Sequence, residues 1–384
     1  MKVNTLSNKK LLIVTTVPDT LHGILAGQPK YLNDYFDVEL ASSNNDFADK
    51  VIKTEGRPFH VVPMVRGINP FYDIYSIFCM IRLLILVRPD VVHSYTPKAG
   101  LITMISSWLC RTPNRVHTFT GLIFPTATGF KKKLLITIDQ LICFCATVVV
   151  PEGQGVKTDL LDYNVTTKSL NVIGNGNVAG VDLSYFSPSI KIGSESLSIR
   201  NQLGISSESL TFCFIGRLNK DKGVEELIDA FECLEGTAHL IVVGDLDSSQ
   251  PIADSLMTRL ASNQKVHMVG YQSDIRPYLD ASDVLILPSY REGFPNVLLQ
   301  AGAMGLPCIA TNINGCNEII DNKNGWLVEP RNSDSLLAAM SAAAHCQNYS
   351  DMSANARENV EEKFERSNYL ELLLKFYKKE CNHD

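Results

Sequence analysis

The feature that most restricts this chain is an alternation. Short apolar, β-rich runs at 11–16 (LLIVTT), 90–94 (DVVHS), 115–120 (RVHTFT), 146–150, 210–215 (LTFCFI), 239–243 and 283–287 (DVLIL) each stop at a polar or glycine-containing loop. Helix-length segments such as 70–87, 99–110 and 224–234 lie between them. Strands alternating with helices imply a parallel sheet covered on both faces, so the expected fold class is α/β. A length of 384 residues exceeds one typical core, and two such domains are expected. The runs at 11–16 and 210–215 would each open one of them as the first strand of a Rossmann-like half.

The stretch from Ser289 to Ile320 carries the densest chemistry. Strand 283–287 meets Pro288, a polar loop, and a helix-type segment at 296–304. Ligands of open α/β sheets bind beyond the carboxyl ends of strands, and a helix starting there offers amide groups and a positive dipole end to an anion. Glu292 in that loop is expected to accept hydrogen bonds from neutral hydroxyls without salt-bridging. Gly293 permits close backbone approach, and Pro295 suits a first helical turn because its missing N–H costs nothing there. Gln300, eight residues on, could return toward the same ligand. After strand 210–215 comes GRL-x3-KG: an arginine fork, Arg217, and a lysine point charge, Lys222, beside a helix start suit a diphosphate.

These residues carry a resemblance. EGFPNVLLQA (292–301) resembles the E-x7-E element of the family 4 retaining glycosyltransferases, and GLPCIAT (305–311) with NGCNEII (314–320) is similar to that family's next strand and loop. Gln300 departs from the pattern, standing where the family has its second glutamate. An amide accepts from a hydroxyl but also donates. The resemblance implies the GT-B fold, two Rossmann-like domains facing across a cleft that holds the active site. Implied boundaries are 1–186 for an acceptor-binding domain, 187–208 for a linker, 209–366 for a nucleotide-sugar-binding domain, and 367–384 for a helix crossing back to the first domain. It assigns the donor diphosphate to Arg217 and Lys222, the donor sugar to Glu292, Gly293, Phe294, Pro295 and Asn296, and the ribose to Gln300. Backbone groups of Gly270 and Tyr271 would hold the base, and a glycine loop with Gly23 and Gly27 would face the acceptor and the phosphates. It also places a catalytic group at the end of strand 115–120, before Gly121. Two registers are open, one with His117 in that slot and one with Thr120.

By the same resemblance the reaction retains anomeric configuration, and the leaving diphosphate accepts the acceptor's proton, so neither a protein base nor a metal is required. The expected donor is a nucleoside diphosphate sugar, UDP-linked in the first instance. It is a co-substrate, with no further cofactor. The expected acceptor is a carbohydrate, in particular a lipid-linked saccharide in bacterial capsular or surface polysaccharide assembly. Two alternatives stand beside this reading: a GT-B sugar-nucleotide epimerase, which needs a base and an acid, and a non-catalytic nucleotide-sugar-binding subunit.

Other features narrow the field. A net charge of −6 with no dominant basic face argues against a nucleic-acid partner. Ten cysteines lack paired ligand spacing, and Cys143 and Cys145 sit in an apolar run that suggests packing. With no apolar leader core near residue 10, a reducing cytoplasmic setting is expected. Residues 134–150 are interrupted by Asp139 and Gln140 and read as a helix followed by a strand rather than a span. Lys131, Lys132 and Lys133 before it, with the apolar block 81–87, leave two readings open: peripheral contact with a membrane, or buried helix faces with one solvated turn. Gly174-x-Gly176-x3-Gly180 imitates a dinucleotide fingerprint, but no sustained helix follows it. Asp245 and Asp247 imitate a metal-holding D-x-D in a place where cations already fill the diphosphate role.

Overall fold

The apolar runs become two six-stranded parallel sheets in a computed structural model that describes residues 9–67, 69–247 and 251–381. Expectations for 1–8 and 382–384, the outer ends of the first domain and of the closing helix, lie outside the described residues. The chain divides into one unit of residues 1–180 with 366–384 and a second of residues 181–365.

The first sheet contains β1 (Lys10–Val14), β2 (Asp37–Ser42), β3 (Phe59–Val61), β4 (Val91–Tyr95), β5 (Asn114–Phe119) and β6 (Val148–Pro151), in the order β3-β2-β1-β4-β5-β6. The second contains β7 (Thr211–Ile215), β8 (His239–Val243), β9 (Val266–Gly270), β10 (Val284–Leu287), β11 (Cys308–Thr311) and β12 (Gly325–Val328), in the order β12-β11-β10-β7-β8-β9. Numbered within each unit, both orders read 3-2-1-4-5-6, the doubly wound arrangement whose order reverses between the first and fourth strands. The reversals fall at β1/β4 and at β7/β10.

Helices cover both faces of each sheet. In the first unit they are α1 (Gln28–Leu32), α2 (Ala48–Glu55), α3 (Pro70–Val87), α4 (Pro97–Leu109), α5 (Gly129–Cys145) and α6 (Gln154–Asp162). The second holds α7 (Ile190–Gln202), α8 (Val224–Cys233), α9 (Asp254–Ser262), α10 (Arg276–Asp280), α11 (Asn296–Ala303), α12 (Ser333–Ala344) and α13 (Tyr349–Lys363), and α14 (Arg366–Cys381) belongs to the first unit. Met80, Leu83 and Val87 of α3, Ile102 of α4 and Ile142 of α5 share one buried cluster with Val14, Val92 and Phe119 of the sheet. On the other face Leu373 and Tyr377 of α14 pack with Ile13, Tyr95 and Val150. His93, buried in β4, ties that helix down: Nδ1 lies 2.5 Å from Tyr377 Oη, and Nε2 lies 2.7 Å from Thr118 Oγ1.

Local signals set several boundaries. The Asn69 side chain accepts from the Tyr72 amide, Pro70 opens α3, and Arg88 ends it with a left-handed backbone before Pro89. Two expectations change. Lys131, Lys132 and Lys133 lie inside α5 rather than ahead of it. The stretch read as a linker at 187–208 holds α7, started by the Ser189 side chain, which accepts from the Ile192 amide. Arg200 on α7 donates to the carbonyls of Ala281, Ser206 and Ser209, so this helix is docked on the second unit.

Candidate active site

The charged residues singled out above gather at the β7/β10 reversal, where two loops leave adjacent parallel strands. Behind β7, Gly216 and Arg217 lead into a short 3-10 turn at Lys220–Lys222. Gly223 follows with φ +63°, and a Cβ there would lie 2.0 Å from the Pro288 carbonyl oxygen, so only glycine lets the two loops close on each other. The chain behind β10 is then stitched to the first loop. The Tyr290 amide donates to Asp221 O at 2.8 Å, Arg291 Nη2 pairs with Asp221 at 2.9 Å, and Tyr290 Oη donates to the Glu226 carboxylate at 2.5 Å. Burial, together with that carboxylate, pushes the Tyr290 phenol well up, and the Arg331 guanidinium lies 4.5 Å over its ring.

Lys222 Nζ donates to Glu292 Oε1 at 2.6 Å, and both side chains are largely shielded. This corrects the expectation that Glu292 stands ready for neutral hydroxyls without a salt bridge. One of its oxygens carries the ion pair, a partner that spacing within the 283–320 stretch could not reveal. Arg217 Nη1 pairs with Asp247 at 2.5 Å and remains 62% exposed, while Asn219 donates to the same carboxylate at 3.2 Å. Asp245 accepts from the Tyr271 amide at 3.0 Å. Both carboxylates of the D-x-D are therefore engaged by protein donors.

Gly293 and Phe294 come next. Phe294 is buried against Phe364, 5.5 Å between ring centroids. Gly315 in the NGCNEII loop, at φ +78°, lies so near that a Cβ would sit 2.2 Å from Gly293 O. Pro295 occupies the cap position of α11 with an extended backbone, one residue ahead of the first turn, and Asn296 opens the helix. Gln300 lies half-buried on α11.

Elsewhere the structure corrects the expected roles. Gly270 O accepts from the Gly244 amide at 2.9 Å and the Tyr271 amide is used by Asp245, so two of the backbone groups expected to hold a base are already bonded. The Tyr271 ring itself is 64% exposed. Gly27, at φ +79°, donates its amide to the buried Glu55 carboxylate at 2.8 Å, and the Lys30 amide shares that carboxylate at 3.1 Å, which disfavours an anion there. Gly23 is not a loop residue but lies in a π-helical turn, Thr20–Ile24. The two registers of β5 separate clearly. His117 is fully buried, its Nδ1 lies 2.9 Å from Ser94 Oγ, and a Cβ on Gly100 of α4 would meet its ring at 2.4 Å. Burial lowers its pKa to about 3 and keeps it neutral. Its ring faces α4. Thr120 follows the last residue of β5 and is half-buried, ahead of Gly121 at φ +106°.

Sequence reasoning missed Ser289, wholly buried with no partner for its Oγ, and the Tyr290–Glu226 and Arg291–Asp221 ties. A polar residue just past the apolar strand and Pro288 was the available signal for Ser289. The ties join residues about 65 to 70 positions apart and leave no local trace.

Two doubly wound sheets in one chain, one carrying cations and a carboxylate at its reversal, are the GT-B architecture of glycosyltransferases. The family model for glycosyl transferases group 1 matches residues 209–345, and that for the glycosyl transferase 4-like domain matches 33–176. The chain belongs to this glycosyltransferase family. It is 28% identical over 366 residues to the capsular polysaccharide biosynthesis glycosyltransferase CapM of Staphylococcus aureus, covering 94% of each chain. It is also 28% identical over 336 residues to the UDP-Gal:alpha-D-GlcNAc-diphosphoundecaprenol alpha-1,3-galactosyltransferase of Escherichia coli, covering 85% of each. Among solved structures, Anabaena Alr3699/HepE in complex with UDP and glucose superimposes with a TM-score of 0.81 at 18% identity, over 97% of this chain and 100% of that one, a likeness of fold.

Proposed function

We propose that the protein transfers a hexosyl or N-acetylhexosaminyl group from a UDP-sugar to a lipid-linked saccharide, with retention of anomeric configuration, in surface polysaccharide assembly at the inner face of the membrane. The observation that carries this reading is the Lys222–Glu292 pair at the β7/β10 reversal, with Arg217 at its rim. Relatives matched over most of their length, one acting in capsule biosynthesis and one on a diphosphoundecaprenol acceptor, support the choice of acceptor, and the latter's UDP-Gal supports the choice of donor.

In the proposed step the bond between the anomeric carbon and the diphosphate oxygen breaks, and the acceptor oxygen bonds to that carbon on the same face. The acceptor's proton passes to the departing diphosphate. Negative charge grows on the leaving group, and fixed cations are most useful where charge develops. Lys222 and Arg217 take that role, each exchanging its carboxylate partner for diphosphate oxygens. Arg217 is mostly exposed, and on its release the shielded Asp247 keeps the Asn219 amide, so the exchange is cheap there. Glu292, released on one oxygen, accepts from sugar hydroxyls, Gln300 serves the ribose, and Thr120 in place of His117 serves the transferred sugar. With two cations on the diphosphate, a divalent metal is not required.

The test is a panel of uridine and guanosine diphosphate sugars incubated with the protein and a chelator, following nucleoside diphosphate release with and without a diphosphoundecaprenol-linked sugar. Acceptor-dependent release from one uridine donor, unchanged by chelator, is expected. Release without acceptor accompanied by epimerised donor would overturn the reading, and so would release that ceases with chelator for its metal-independent part.

A further inference from the structure

The helical layer α3–α4–α5 has an unusual outer surface. α3 buries Met80, Leu83, Leu84 and Val87 in the core, yet its opposite side is apolar too: Phe71 is 88% exposed and Leu86 77%, with Ile74, Tyr75, Phe78 and Ile85 between them. A helix apolar all round is normally enclosed. α3 packs on α4 and α4 on α5, and their inward residues belong to one buried cluster, so their outward sides share one surface. On the neighbouring helices Trp108 and Phe144 stand exposed 6.1 Å apart between ring centroids, and Phe130 is 81% exposed. Contiguous apolar surface of this kind marks an interaction site.

Charge identifies the partner. The three helices carry only two acids, Asp73 and Asp139, and both are buried. Asp73 is further paired with Lys98 at 2.7 Å. The exposed charges on this surface are Arg82, Lys131 and Lys133, with Arg88 and Arg111 at the helix ends, in a chain whose net charge is −6. Exposed aromatics and aliphatics on helices that carry cations and no exposed acid fit the interface of an anionic bilayer, where apolar side chains enter the headgroup boundary and lysine and arginine meet lipid phosphates. α3 is long and apolar enough to span by length and composition. Its inner stripe is part of the sheet's core, so it lies on the bilayer rather than crossing it.

We infer that the α3–α4–α5 face is a docking surface for anionic lipid, with Phe71, Phe78 and Leu86 inserting and Arg82, Lys131 and Lys133 holding headgroups. This takes the membrane-side part of the proposed function further, but its test reads binding and needs no sugar transfer. The full-length protein is sedimented with vesicles of phosphatidylcholine alone, and of phosphatidylcholine mixed with phosphatidylglycerol. Retention by the mixed vesicles is expected, falling as salt is raised. Phe78→Glu with Leu86→Glu, and separately Lys131→Glu with Lys133→Glu, should each weaken it about tenfold or more. All four side chains point into solvent, so melting temperatures should match the parent. Ile190→Glu, at a 95% exposed apolar residue of the other unit, should change nothing. The inference is overturned if mixed vesicles retain no more protein than phosphatidylcholine alone, or if Ile190→Glu acts like the α3 pair. It is equally overturned if the protein sediments as a dimer that Phe78→Glu/Leu86→Glu dissociates while vesicles stay unbound, for then the face meets a second copy.

Discussion

The two units share one strand order and differ in what stands at its reversal. At β1/β4 the groups beside the strand ends are hydroxyls, and the Lys98–Asp73 ion pair beyond them ties α4 to α3. Thr16 Oγ1 lies 2.6 Å from Thr96 Oγ1 and accepts from the Ala99 amide at 3.1 Å, so a first-turn amide of α4 is capped from within the protein. Thr96 holds φ +74°, a costly conformation for a β-branched residue. At β7/β10 the groups are ions: Lys222 on Glu292 and Arg217 on Asp247. The same contrast runs through the units' titratable groups. The first unit buries His93 and His117, which burial keeps neutral, and Asp139, whose pKa burial raises to about 7. Identical topology offers a crevice twice, and the side chains delivered to it decide which crevice handles an anion.

Lys222→Ala would strain this comparison hardest. Transfer should fall about a hundredfold, with weaker nucleoside diphosphate binding by calorimetry, because a preorganised charge is lost where charge develops. Thr96→Ala should leave that binding unchanged. Equal losses from the two substitutions would end the distinction between the reversals.

Buried groups of the first unit should come next, acting on stability and not on donor affinity. His117→Ala should cost about 2 kcal/mol in denaturant unfolding, from a cavity and an abandoned Ser94 hydroxyl. With the His117 pKa lowered to about 3 from 6.5, the stability of its neutral form is present above the unfolded value and is lost as pH falls from 6.5 toward 3. Asp139 works in the opposite direction. Its folded pKa is raised from 3.8 to about 7, so its contribution is present at low pH and is lost as pH rises through that window. Asp139→Asn should therefore flatten the decline between pH 4 and 7 and gain on the order of 2 kcal/mol above it. Unaltered pH–stability curves for both variants would show that these groups are solvated.

Gly315→Ala should cut transfer about tenfold by pushing on Gly293 and so on Glu292, since misplacement of a positioned group by a fraction of an ångström is enough. Gly23→Ala meets nothing within 4 Å and should be silent. The smallest measurable loss is expected at Arg217→Ala, about threefold in donor affinity, because an exposed, screened arginine contributes little. A hundredfold loss there would make Arg217 rather than Lys222 the principal anion contact.

Much of the fold was legible. α3 has the bounds its sequence announces, Pro70 at the start and Arg88–Pro89 at the end, because caps and proline act within a few residues. α7 was not legible, because IKIGSESLSIRNQ shows little amphipathic contrast and its docking depends on Arg200 reaching three carbonyls, one of them 81 residues away. In the site, the residue types and their loops could be read, but their partners could not. Glu292 was expected unpaired, Gly270 and Tyr271 were expected to offer backbone groups that the protein itself occupies, and the loop of Gly27, expected to face phosphates, gives its amide to Glu55.

By itself the sequence determined an α/β chain of two doubly wound sheets, and the resemblance of its EGFPNVLLQA and GRL-x3-KG segments pointed to glycosyl transfer, because strand period, helix caps and loop chemistry are local properties. Tertiary structure alone decided that Lys222 meets Glu292 across 70 residues, that Gly100 seals His117 inside the first unit, and that α3 turns a second apolar face outward. Those outcomes depend on which surfaces the crossovers bring together, and distance in space between side chains is set by packing, not by their separation along the chain.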